Sequence, residues 1–135
     1  MPFVLDCSVT TAWVFSDEAN ANTDALRESL IDDLAVVPVL WSIEVANVLL
    51  VATRRGRIKT PDWQRIRSDL EALPIHVDLE THGRALQTAL PLAHRLQLSV
   101  YDAVYLELAQ RLKLPLATLD QKLAEACRKA NVEVI

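Results

Sequence analysis

The sequence predicts an α/β fold: a single three-layer α/β/α domain over residues 1–135 with a mainly parallel central sheet. Three observations predict it. Short apolar runs of strand length, such as Phe3–Leu5 and Ala35–Val37, alternate with longer segments of helical periodicity. These runs are apolar without alternation, as strands covered on both faces are. The chain has 51% hydrophobic and 24% charged residues, the balance of a globular core rather than of a disordered chain. No repeat, low-complexity segment or linker divides the 135 residues, which suffice for one sizeable core.

Phe3–Leu5 is apolar and ends at Asp6, which predicts a buried strand. Ser8 then caps a short helix to about Phe15. Asn20–Leu34 follows as a helix, with Leu26, Leu30 and Leu34 on one side. Ala35–Val37, stopped by Pro38, is the second strand. Leu40–Thr53 is a helix apolar nearly all round, which predicts burial on most faces. Its polar exceptions, Glu44 and Asn47, are three apart and share a face. The basic run Arg54, Arg55, Arg57 closes it around Gly56, a C-terminal cap.

Thr60 and Pro61 open the next helix as cap and first residue, and Pro74 ends it. Ile75–Val77 is the third strand. Thr81–Leu96 is a helix bent at Pro91. Ser99 starts another helix, which ends before Pro115, and Leu116–Leu119 is the fourth strand. A helix Asp120–Ala130 and a final strand Val132–Ile135 complete the chain.

The net charge of −4 gives no global attraction to nucleic acid, so any such partner needs a local basic patch or bound cations. Cys7 and Cys127 lie at opposite ends without metal-ligand spacing and read as buried, reduced thiols. The N-terminus lacks the basic and apolar regions of a signal peptide, and no apolar run is long enough to span a bilayer. A cytoplasmic protein with no membrane partner is expected. His76, His82 and His94 have no paired spacing, which argues against zinc and against a Ser–His–Asp site.

Four acids remain conspicuous. Asp6 and Asp120 stand where a strand hands over to a helix, the edge at which parallel sheets bind ligands. Glu44 and Asp102 lie near helix starts among apolar neighbours. Asp102 reaches the same edge if its helix runs antiparallel to the strand it feeds. Capping or helix-dipole effects account for each acid singly: Ser99 and Asp102 match a capping box, and Asp120 is a good N-cap. Together they pose a different problem. Carboxylates gathered in a partly buried cleft repel one another and are costly to desolvate. A hard divalent ion with oxygen ligands, Mg²⁺ or Mn²⁺, resolves that cost.

Asp6-x-Ser8, Glu44-Val-Ala-Asn47, Tyr101-Asp102-Ala103 and Leu116-Ala-Thr118-x-Asp120 resemble, in order and spacing, the motifs of PIN-domain ribonucleases. Within that family the chain is similar to VapC-type toxins. The resemblance implies an Mg²⁺- or Mn²⁺-dependent endoribonuclease, homodimeric and neutralised by a VapB-type antitoxin. It implies Asp6, Glu44, Asp102 and Asp120 as the catalytic, metal-binding acids, with Ser8, Asn47 and Thr118 as their hydrogen-bonding supports. Arg54, Arg55 and Arg57 are the candidate RNA contacts. Trp13, Phe15 and Trp63 are candidates for a dimer or antitoxin surface. Two other function classes stay open: a phospho-acceptor signalling domain with Asp78 as acceptor, and a catalytically silent PIN-like binding module.

Overall fold

The computed structural model describes residues 1–135. Strands β1 (Phe3–Leu5), β2 (Ala35–Pro38), β3 (Ile75–Asp78) and β4 (Leu116–Ala117) form one parallel sheet in the order β3-β2-β1-β4. Val4 pairs with Val36 on one side and Leu116 on the other, and Pro38 pairs with Asp78. The chain winds outward from β1 through β2 to β3, then returns to lay β4 on the far side of β1. Such a reversal opens a crevice beyond the C-terminal strand ends. Asp6 follows β1 and Thr118–Asp120 follow β4, so both segments stand at that crevice.

Around the sheet lie α1 (Cys7–Val14), α2 (Ala21–Ser29), α3 (Leu40–Arg54), α4 (Asp62–Glu71), α5 (Thr81–Arg84), α6 (Leu90–Leu96), α7 (Val100–Leu112) and α8 (Gln121–Lys129). Strand side chains alternate between faces, and the sheet therefore carries two cores. Val4 and Leu116 pack with Tyr105, Leu106 and Leu108 of α7 and with Leu123 and Cys127 of α8. Phe3, Leu5, Ala35, Val37 and Ala117 pack instead with Val9 of α1 and Leu26 of α2. The parallel α/β architecture is as the sequence predicts. Cys7 and Cys127 are both free and buried.

Several elements differ from expectation, each for a local reason. α1 begins at Cys7, so Ser8 lies inside its first turn and caps nothing. α2 stops at Ser29, because the backbone tightens into three successive i→i−3 bonds from Leu30, Ile31 and Asp32. α4 begins at Asp62 with Pro61 in the N-cap position, so Thr60 caps nothing, and the Asp62 carboxylate accepts from the Lys59 N–H. A π-turn, Ala85–Ala89, interrupts the helix expected over 81–96 directly before Pro91. Pro91 has no N–H to continue the ladder, and the Leu90 N–H bonds five residues back to Ala85. β4 keeps only two residues. The expected last strand is reduced to a bridge between Leu116 and Val134.

α3 is the largest departure. It is not buried on most faces: only Val45 and Ala52 are, and Ile43 is 67% exposed. Its end follows the sequence closely. Gly56 takes φ +76°, and the N–H groups of Gly56 and Arg57 return to the carbonyls of Thr53 and Ala52. Arg57 is not a free cation, as its guanidinium bonds Asp17 and Glu18 and lies 4.2 Å from the Phe15 ring centre. Phe15 is itself buried, and the Trp13 indole N–H donates to the Thr23 carbonyl. Only Trp63 of the three aromatics is exposed. No helix is long and apolar enough to cross a membrane.

Candidate functional site

Asp6 is the fixed point of the crevice. It is buried at the end of β1, its own N–H bonds the Ala117 carbonyl, and its side chain makes no helix-cap bond. The hydroxyls of Ser8 and Thr118 both donate to its Oδ2, at 2.6 and 2.8 Å. Both hydroxyls also accept, Ser8 from the Leu119 N–H and Thr118 from the Asp120 N–H. The β1 and β4 ends are thereby tied to one carboxylate oxygen, and Oδ1 receives none of these bonds. Burial pushes the Asp6 carboxyl above its ordinary range, against the Ser8 and Thr118 hydroxyls and the Ser8 and Cys7 amides. Replacing Thr118 by Val removes one donor from a buried carboxylate and orphans the Asp120 N–H. Urea denaturation is expected to show a loss of about 1–3 kcal/mol.

The other three acids come from three further elements. Asp102 sits in the first turn of α7, where Ser99 Oγ accepts from its backbone N–H. Half of a capping box is present, and the carboxylate does not complete it. Burial raises the Asp102 carboxyl, helped by the charges of Asp120 and Asp6, while Ser99 and Lys122 oppose. Glu44 lies in the second turn of α3, beyond the reach of a cap. Burial raises it too, then Asp6 and Asp102, against one hydrogen bond from the Tyr105 hydroxyl to Oε1 at 2.5 Å. Asp120 is the N-cap of α8, accepting from the Leu123 N–H at 3.0 Å. Of the four, capping explains Asp120 alone.

Mutual repulsion thus links acids contributed by β1, α3, α7 and the β4–α8 junction. The donor set is all carboxylate oxygen, which suits a hard divalent ion and not zinc. The three histidines are exposed and take no part. No group of three or more His, Cys, Asp or Glu side chains is drawn tightly enough to enclose an ion. The residues fit such an ion by the chemistry of their oxygen donors.

Asn47 is exposed and hydrogen-bonds none of the acids. Arg54 and Arg55 are exposed and form no ion pair, whereas Arg57 is engaged as described. Asp78, the acceptor of the signalling alternative, lies outside the four acids: Arg111 grips it through two nitrogens at 3.1 and 2.7 Å and holds its carboxyl below the usual range. Two residues near the acids were not singled out by sequence. Lys122, in the first turn of α8, lends Asp102 a nearby positive charge, and Tyr105 holds Glu44. A tyrosine amid apolar helix residues reads as core, and only its i+3 spacing from Asp102 hints at more.

The family model described as PIN domain matches residues 3–129. Ribonuclease VapC3 of Pyrobaculum aerophilum is 31% identical over 129 residues, 93% of this chain and 94% of that protein. Ribonuclease VapC1 of Mycobacterium tuberculosis is 32% identical over 125 residues, 90% of each. Among solved structures, that of PAE2754 from Pyrobaculum aerophilum matches with a TM-score of 0.68 at 22% identity, covering 93% of this chain and 87% of that one.

Proposed function

The chain belongs to the PIN domain family, and on that premise we propose that it is a divalent-metal-dependent endoribonuclease, the toxin of a VapBC-type pair. The observation that carries this reading is the convergence of Asp6, Glu44, Asp102 and Asp120 from four elements at the sheet's switch point. The two relatives named as ribonucleases support RNA as the substrate.

Asp6 and Asp102 are the most direct candidates to hold Mg²⁺ or Mn²⁺, and Asp120 would hold a second ion or an ordered water. Bound there, a hard divalent ion supplies neutralisation of the phosphodiester charge and acidification of a water nucleophile. Asp6 is pre-set for its task by Ser8 and Thr118, which fix its Oδ2. Glu44 would orient water or metal through Oε2, since Oε1 carries the Tyr105 hydroxyl. Water adds to phosphorus as one P–O bond of the RNA breaks.

Arg54 and Arg55, free of ion pairs, are the remaining cations of the basic run able to meet phosphates. To the antitoxin we assign a groove of about 660 Å³ lined by Trp41, Val45 and Leu49 of α3, Trp63 and Leu70 of α4, and Ile75 of β3. A homodimer in the cytoplasm belongs to the same reading. The test is incubation of the protein with RNA and Mg²⁺ or Mn²⁺. Cleavage that EDTA stops and added metal restores is expected. Cleavage that persists in EDTA, or none with either metal, overturns the proposal.

A further inference from the structure

Glu44 stands on a helix that the core grips lightly, with only Val45 and Ala52 of α3 buried. A glutamate so placed has three rotatable bonds and nearby water, and the charges of Asp6 and Asp102 repel it. Yet its carboxylate is held, by one hydrogen bond. The donor is Tyr105 of α7, fully buried and the largest of the buried side chains. It belongs to the core cluster that also holds Val4, Leu106, Leu123 and Cys127, and its full burial fixes where the hydroxyl lies. Phe would fill the same space. The hydroxyl has Glu44 as its partner, and 2.5 Å is the length of a charge-assisted O–H···O⁻ bond. Tyr105 also follows Asp102 by three residues on one helix, so one rigid element carries one acid and holds the other.

We infer that Tyr105 is a positioning residue of the acidic site: its hydroxyl anchors Glu44 Oε1 to α7, leaving Oε2 to serve a divalent cation together with Asp102 and Asp6. The inference rests on the metal-site reading and adds a member that touches neither metal nor substrate.

A double-mutant cycle on Mn²⁺ binding tests it, with free Mn²⁺ counted by its EPR signal for wild type, Tyr105→Phe, Glu44→Ala and the double variant. Melting curves report whether each variant is folded. Tyr105→Phe is expected to weaken Mn²⁺ binding about tenfold, and to have no further effect once Glu44 is Ala. The double variant should also melt above Glu44→Ala, because Phe relieves a buried hydroxyl left without its partner. Unchanged affinity in Tyr105→Phe, or an equal loss with and without Glu44, overturns the inference. A wild type that binds no Mn²⁺ overturns the metal site and this role with it. A wild type that binds Mn²⁺ but cuts no RNA overturns the ribonuclease reading alone.

Discussion

Asp6→Asn is expected to lower RNA cleavage on the order of 10³-fold and, at the same time, to raise the melting temperature of the metal-free protein. The substitution keeps shape and an acceptor oxygen for Ser8 and Thr118 but deletes the charge. That charge is buried at the meeting of β1, α1 and β4, with Glu44 and Asp102 repelling it. It is the part of the site a cation needs and the part the bare fold tolerates least. The pH dependence follows in sign. Asp6, Glu44 and Asp102 all have folded-state pKa values raised above their ordinary 3.8, 4.5 and 3.8. Their contribution is fully present below those ordinary values and is lost as pH rises through the raised ones. The metal-free wild type should therefore melt lower as pH climbs from the ordinary carboxylate range toward neutrality. Asp6→Asn should flatten that slope, and saturating Mg²⁺ should offset it. Thermal melts at a series of pH values read all three.

The largest loss of stability is expected from Arg111→Met. Arg111 bonds both oxygens of Asp78 at the end of β3, both of Glu107 on its own helix, and Glu80. The Asp78 and Glu107 side chains are only 12% and 4% exposed, so little water is available to replace the guanidinium. Removing it leaves the half-buried Asp78 without a cation and the buried Glu107 with Arg84 alone, 3.9 Å away, a cost of about 3 kcal/mol by urea denaturation. Arg111→Lys retains the charge but not the fork and should fall between. Asp78 has a lowered pKa, so its share is present above its ordinary 3.8 and fades as pH falls through the lower folded value. That window lies below the one set by the crevice acids, and the two can be read separately. Because α7 also carries Asp102 and Tyr105, activity should fall with stability.

What the sequence made legible was what local chemistry decides. β1 and β2 are apolar runs closed by Asp6 and Pro38, and Gly56 stands where only positive φ completes the α3 cap. Asp6 and Asp120 could be placed at one edge because strand ends in a parallel sheet share it. What stayed hidden depends on partners distant in the chain. Arg57 belongs to Asp17 and Glu18, 40 and 39 residues earlier, so a basic run that reads as RNA-facing is partly a structural clasp. The apolar girth of α3 lines an open groove rather than a core, and composition does not tell those apart. Nor does periodicity see backbone tightening: Leu30 stays buried although α2 has ended. Tyr105 looked like packing because it is packing, apart from one oxygen.

That Asp6, Glu44, Asp102 and Asp120 hold one divalent-cation site is most directly tested by anomalous diffraction from crystals soaked in Mn²⁺. An anomalous peak within ligand distance of Asp6 and Asp102, with Asp120 or Glu44 completing its surroundings, is the predicted result. A peak elsewhere, or none among these four carboxylates at saturating Mn²⁺, would contradict it.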